Sequence, residues 1–293
     1  MTDAAAPLIH LSAALAGLVA KTAPSIVSVR SRRSQSSGFA WRPGLVVTAD
    51  EALAEEGEFA VTVPGGDSVP AQLVGRDPTT DVALLRIDRP DVQPLPLAAT
   101  SLAVGALAIA VGSDDGAPIA ALGVVSRAGG LWRSLRGGEI DARIELDLRL
   151  RRSAEGGVGL DASGAAFGMA VFGPRRRVLV IPAATIERVA ARLASDGRIP
   201  RGYLGLGLHP VALTGGDGAG AMVMSVDPKG PGATAGVHQG DVIVALNGEP
   251  IRHVHSLLRA LGPDRVGQTV TLDLRRAGET KQLSLTIGER PAA

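Results

Sequence analysis

Few groups in this sequence could take a proton from a nucleophile. The five histidines are His10, His209, His238, His253 and His255, so none falls between residues 11 and 208. Lys21 is the only lysine before Lys229. A serine nucleophile needs an imidazole or an amine within hydrogen-bond reach. Cysteine is absent, which excludes thiolate chemistry, disulfides and cysteine metal sites. What the first two thirds of the chain do offer are carboxylates and arginines. Glu51 follows Asp50, Asp81 follows Asp77, and Glu155 stands behind Arg149, Arg151 and Arg152. Paired carboxylates serve as acid and base in glycoside hydrolysis, but nothing else in the sequence suggests a sugar site. A different signal lies further on, in the glycine-rich runs Arg201-Gly202-Tyr203-Leu204-Gly205-Leu206 and Pro231-Gly232-Ala233-Thr234-Ala235-Gly236-Val237-His238-Gln239-Gly240-Asp241-Val242-Ile243.

The elements that must position these residues are mostly strands. Short β-branched or continuous apolar runs occur at Pro24 to Val29, Leu45 to Thr48, Phe59 to Val63, Ala71 to Val74 and Asp81 to Ile87. Others follow at Ala106 to Val111, Ile119 to Ser126, Ile144 to Leu148, Ala165 to Phe172 and Val178 to Ile181. Ser34 to Gly38 reads as a polar turn. Many short strands at this spacing argue for a closed barrel or sandwich. Ala183 to Ser195 changes to a helical period, and Gly197 follows its end. The boundary of a second, mixed domain is placed at Arg198 to Arg201. That domain has strands at Ala221 to Val226, Asp241 to Leu246 and Thr269 to Arg275, and a helix at Val254 to Leu261.

Composition narrows the function classes. Hydrophobic residues are 45% and charged residues 20% of the 293, as expected of globular domains. The net charge of +1 and the 2% of aromatics give no reason to expect a nucleic-acid partner. The apolar run Leu11 to Ala20 is too short to span a bilayer and lacks a preceding positive segment, so it reads as a domain helix ending near Thr22-Ala23-Pro24. The visible sequence therefore predicts no membrane span and a cytoplasmic location, or a periplasmic one if the chain is a mature form.

Three segments, in order, resemble the HtrA (Do/Deg) family of trypsin-like serine proteases. Ser36-Ser37-Gly38-Phe39-Ala40 through Thr48-Ala49-Asp50-Glu51-Ala52-Leu53 resembles the family's G-S-G-F, strand and T-N-N-H-V. Gly75-Arg76-Asp77-Pro78-Thr79-Thr80-Asp81-Val82-Ala83-Leu84-Leu85 is similar to its D-x-x-x-D-[IV]-A-[VL]-L. Ser153-Ala154-Glu155-Gly156-Gly157, with Asp161-Ala162-Ser163-Gly164, resembles G-N-S-G-G and the hairpin after it. The resemblance implies a mostly β fold: a trypsin-like double six-stranded β-barrel followed by an α+β PDZ domain. The implied organisation is an N-terminal helix or extension over 1–23, the barrels over 24–182, a linker helix over 183–201 and the PDZ domain over 202–289.

Carried over position by position, the triad becomes Glu51, Asp81 and Glu155. Only the aspartate is kept. The resemblance therefore implies a pseudoprotease without catalytic residues, metal or cofactor. The alternative is an active serine endopeptidase with an unrecognised nucleophile or base, Ser153 being the first to consider. Three carboxylates this close cannot all stay charged. One takes a proton, or Arg149, Arg151 and Arg152 neutralise them, or a divalent cation does; the arginines are the leading expectation.

The second region resembles HtrA-type PDZ domains, whose pattern is P-A-x-x-A-G-[LV]-x-x-G-D-x-I. Such a module adds an extended peptide to a sheet edge and holds its C-terminal carboxylate on backbone N–H groups. Tyr203, Leu204, Gly205 and Leu206 would form the carboxylate loop, and Leu258 on the helix would face the pocket. The expected partners are protein C-termini or unfolded polypeptides with an apolar last residue, in an adaptor, regulatory or chaperone-like role. Family members assemble as trimers, which implies a homotrimer.

Overall fold

A computed structural model describes residues 6–32, 34–213, 219–251, 257, 260–262 and 265–290. The chain divides into two compact units, residues 1–132 with 140–198, and residues 133–139 with 199–293.

In the first unit, strands β1 (Ile26–Ser31), β2 (Ser34–Arg42), β3 (Leu45–Thr48), β4 (Phe59–Thr62), β5 (Ser68–Asp77) and β6 (Val82–Ile87) close a barrel in the order β1-β2-β3-β6-β5-β4. Val27, Val29, Val46, Val61, Leu85 and Ile87 fill it. Strands β7 (Leu107–Asp114), β8 (Ala117–Gly129), β9 (Arg143–Asp147), β10 (Val158–Asp161), β11 (Ala166–Phe172) and β12 (Val178–Pro182) close a second barrel in the order β9-β12-β11-β10-β7-β8. Its core is built around Val125, Ile144, Leu146, Phe167 and Val180. Closure leaves neither sheet with an open edge. Small β-branched and alanine side chains suffice for interiors this narrow.

One segment departs from its sequence reading. Ser34 to Gly38 is not a turn but the first half of β2, and Ser36 and Ser37 are buried. Polar composition suggested exposure. The hydroxyls are instead satisfied inside, in the seam between the barrels. Ser113 N–H donates to Ser37 Oγ at 2.8 Å, Ser37 Oγ donates to the Ser153 carbonyl at 2.5 Å, and Ser28 Oγ donates to Ser113 Oγ at 2.9 Å. A buried hydroxyl costs little once it is paired.

Helix α1 (Ala6–Thr22) extends beyond the Leu11–Ala20 run, and Leu8, Ile9 and Leu11 are exposed. Residues 6–25 are long and apolar enough to cross a membrane, by length and composition. The expectation that this segment is too short to span a bilayer is thus corrected: the flanking alanines, Pro7 and Leu8 continue the apolar stretch. Helix α2 (Ala183–Asp196) buries Ile186, Val189, Ala190 and Leu193 and contacts β5, β6 and β11. Gly197 ends it in the left-handed region, at φ 70°.

In the second unit, β13 (Leu206–Ala212), β14 (Ala219–Val226), β15 (Val242–Leu246), β16 (Thr269–Arg276) and β17 (Glu279–Thr286) form a sheet in chain order, with Glu249–Pro250 paired to β15. Asn247 and Gly248 both have positive φ, 49° and 77°, as a type I′ hairpin requires. Ala221, Val223, Ile243, Leu257, Leu272 and Leu285 make the core. The predicted helix at Val254 to Leu261 lies mostly outside the described residues.

Candidate functional site

Glu51, Asp81 and Glu155 are brought together in the first unit. Asp81 stands just before β6, held by a turn in which Asp77 Oδ1 accepts from Thr79 N–H (3.0 Å) and Thr79 Oγ1 (2.6 Å), and Asp77 Oδ2 from Thr80 Oγ1 (2.7 Å). Its own φ is 59°, in the region that costs an L-residue strain. Asp81 Oδ1 accepts from the backbone N–H of Glu51 at 2.7 Å. Glu51 itself is exposed.

The loop that carries Glu51 is clamped from β5. Arg76 pairs with the buried Asp50, and its guanidinium also donates to the carbonyls of Asp50 (3.1 Å), Ala54 (3.2 Å) and Glu55 (3.3 Å). Both residues lie within the sequence motifs, but the pair itself is not among the sequence expectations. Opposite charges flanking two motif aspartates were the available signal.

Glu155 follows a short turn, Arg152–Ala154. Its backbone N–H donates to the Arg152 carbonyl at 3.1 Å, and its carbonyl accepts from Ser37 N–H at 2.7 Å. Gly156 has φ 84°, and a Cβ there would lie 2.3 Å from the Ser37 carbonyl oxygen. The side chain turns back on β11: Glu155 Oε1 accepts from Phe172 N–H at 3.3 Å. The nearby Ser163 is committed to the β10–β11 hairpin, where its N–H and hydroxyl both donate to Asp161 Oδ1.

Charge at this centre is set mainly by burial. Burial pushes the Asp81 carboxyl well above the usual carboxylate range; the Glu51 amide opposes this, and the charges of Glu51, Glu155 and Asp50 add to it. Burial likewise raises Glu155, opposed by the Phe172 amide, raised further by Glu51 and opposed again by Arg152 and Arg176. Of the arginines expected to neutralise the centre, Arg152 acts on Glu155, and Arg176 joins it from the β11–β12 hairpin; both carboxyls still shift upward. Among the described residues, no group of three or more His, Asp or Glu side chains is arranged to hold a metal ion.

In the second unit, Leu204 is buried in the core, and Leu206, the first residue of β13, packs only partly against it. Gly205 has φ 71°, and a Cβ there would lie 2.8 Å from Gly230 Cα. Gly232 N–H donates to the Leu204 carbonyl at 2.7 Å and Asp227 N–H to the Gly205 carbonyl at 2.8 Å. Among the described residues, the N–H groups of Leu204 and Gly205 meet no acceptor. Tyr203 Oη donates to Asp227 Oδ2 at 2.9 Å, which braces the loop from its outer side. Leu258 lies outside the described residues.

A double β-barrel with triad-position residues at its centre, joined in one chain to a sheet domain with an open carboxylate loop, defines a trypsin-like peptidase domain followed by a PDZ domain. Residues 36–169 match the trypsin-like peptidase domain family, and residues 202–287 the PDZ domain family. The chain belongs to the HtrA family. It is 31% identical over 278 residues to the "Probable periplasmic serine endoprotease DegP-like" of Rhizobium meliloti (strain 1021), covering 89% of this chain and 54% of that protein. A protein of the same description from Pseudomonas putida (strain W619) is 30% identical over 279 residues, covering 89% and 58%. The chain thus spans a little over half the length of these relatives. The serine endoprotease of Yersinia pestis superposes with a TM-score of 0.70 at 26% identity, over 94% of this chain and 97% of that one. The HtrA-type protease AlgW, solved with a tripeptide, gives 0.66 at 25% identity, over 95% and 98%. The Rhizobium and Pseudomonas putida relatives are described as periplasmic, so the cytoplasmic expectation loses its support.

Proposed function

We propose that this chain is a non-proteolytic HtrA-family protein that binds protein C-termini or exposed apolar peptides through its PDZ domain. The observation that carries the reading is the state of position 155. A carboxylate replaces the hydroxyl nucleophile, and the amide that would stabilise an oxyanion is spent on the Arg152 carbonyl. The base position holds Glu51, and the sequence has no histidine anywhere in residues 11–208. Peptide capture is supported by the free Leu204 and Gly205 amides beside the partly exposed Leu206.

Location outside the cytoplasm is the companion reading. It rests on the apolar segment at residues 6–25 and on the periplasmic description of the relatives. A homotrimer is the proposed assembly, to be checked by light scattering.

The second reading is an active serine endopeptidase, favoured by the names of the relatives as serine endoproteases. Incubation with unfolded casein, with and without an apolar C-terminal peptide, separates the two. The expected result is no cleavage and no labelling by a serine-reactive fluorophosphonate. Cleavage that survives Glu155→Ala would overturn the proposal and place the nucleophile elsewhere, beginning with Ser153.

A further inference from the structure

The chain as a whole is almost electrically balanced, with 30 Lys and Arg against 29 Asp and Glu. Its arginines are nevertheless concentrated at one end of the second barrel. Strands β9 and β12 pair with Leu146 opposite Val178. The chain leaving β9 runs through Arg149, Arg151 and Arg152, and the chain entering β12 comes from Arg175 and Arg176, so this register sets the two runs side by side. Both reach the surroundings of Glu155, whose charge feels Arg152 and Arg176 together.

These five arginines are exposed. Their neighbours Arg127, Arg143 and Arg177 are taken up by Glu145, at 3.5, 2.7 and 3.4 Å. Among the described residues, none of the five has an ion-pair partner. Two features show that the group is positioned rather than loose. Arg149 and Arg151 flank the buried Leu150, so both face outward from one side of an extended segment, about 7 Å apart. In the hairpin, Arg175 and Arg176 both have positive φ, 59° and 58°. Two successive arginines in that region are strained, a conformation that persists only where the surroundings enforce it. The Arg176 guanidinium is further held over the Phe172 ring, 4.8 Å from its centroid.

We infer that the face formed by Arg149, Arg151, Arg152, Arg175 and Arg176 is a docking surface for an extended acidic polypeptide segment. Alternate residues of an extended chain repeat at the spacing of Arg149 and Arg151, so alternating Asp or Glu side chains can meet them in register. Guanidinium forks bind carboxylates bidentately, and exposed, preorganised arginines lose little entropy in doing so. A polynucleotide fits less well. Its binders interleave aromatic platforms with the positive charge, and the one aromatic ring placed in this face by the contacts above already lies under Arg176.

The test is fluorescence anisotropy of the full chain with a labelled deca-glutamate peptide. Its C-terminus is amidated so that the PDZ carboxylate loop has nothing to hold. Micromolar binding that weakens with added salt is expected. The quadruple variant Arg149→Ala/Arg151→Ala/Arg175→Ala/Arg176→Ala should lose about tenfold or more in affinity. Arg152→Glu alone should lose about threefold or more, and Arg192→Ala, an α2 residue paired with Asp196, should lose nothing. If the quadruple variant melts below the wild type, Arg152→Glu and Arg175→Gly decide instead, since glycine removes the charge while relieving the φ. Absence of binding, wild-type affinity in the charge variants, or oligothymidylate binding as tightly as deca-glutamate would each overturn the inference.

Discussion

The backbone N–H of Glu51 donates to Oδ1 of Asp81 at 2.7 Å. The carboxylate that would orient an imidazole in a working triad is therefore bound to the main chain of the residue standing in the imidazole's place. On the non-proteolytic reading proposed above, the geometry of the aspartate is kept while its chemical task is not.

Restoring the missing side chains should not restore activity. In Glu51→His/Glu155→Ser the amide of residue 155 still donates to the Arg152 carbonyl, and losing one oxyanion donor alone costs about 100- to 1,000-fold in turnover. Cleavage of labelled casein by the double variant is expected to stay at background, while its melting temperature at neutral pH should not fall below the wild type, since the raised Glu155 carboxyl is gone.

The raised carboxyls predict an unusual pH response. A group whose folded pKa lies above its unfolded value binds protons more tightly when folded, so its stabilisation is complete below the unfolded pKa and is lost as pH rises through the folded one. Asp81 and Glu155 therefore weaken the barrel unit at neutral pH. Asp81→Asn keeps an oxygen for the Glu51 amide and removes the charge. With that buried charge gone, the variant should melt higher than the wild type near pH 7. The difference should vanish as pH falls towards the ordinary carboxylate range. Both tryptophans, Trp41 and Trp132, belong to the barrel unit, so their fluorescence reports its melting alone.

Arg76→Met should be among the most damaging single changes in the chain. It strands the Asp50 carboxylate, whose side chain is only 4% exposed, and takes a donor from three carbonyls. Breaking one side of such a pair costs about 3–5 kcal/mol. Urea unfolding followed by tryptophan fluorescence should show this loss. Adding Asp50→Asn should recover a large part of it, because the uncompensated charge is then gone.

Gly205→Ala should abolish peptide capture without disturbing the barrels. The added Cβ meets Gly230 Cα at 2.8 Å and faces a φ of 71°. Affinity for a peptide with a free apolar C-terminus should fall about tenfold or more, which is about 1.4 kcal/mol. Tryptophan-detected melting should be unchanged.

Much of this was legible in residue order. The apolar run Asp81 to Ile87 became strand β6, and the helical period of Ala183 to Ser195, followed by Gly197, became α2 with its left-handed end. Glu51, Asp81 and Glu155 meet because their flanking segments kept the motif spacing. Pairing across the seam was not legible. Ser34 to Gly38 looks like a turn until Ser113 and Ser153 supply partners for Ser37 from far along the chain. Arg176 escaped notice for a similar reason. Its approach to Glu155 depends on a hairpin whose left-handed arginines no local propensity would suggest.

Ser37 reaches three separate stretches of chain. Its amide holds Glu155, its hydroxyl holds Ser113 and Ser153, and its carbonyl accepts from Thr48 Oγ1 at 2.7 Å. Gly156 fits only because nothing larger can stand against that carbonyl. On the proposed non-proteolytic reading, tolerance to mutation should be inverted relative to a working peptidase. The exposed side chain at position 51, where an enzyme could accept one residue type, is open to drift. Ser37 and Gly156, which would touch no substrate, are the positions at which drift must stop.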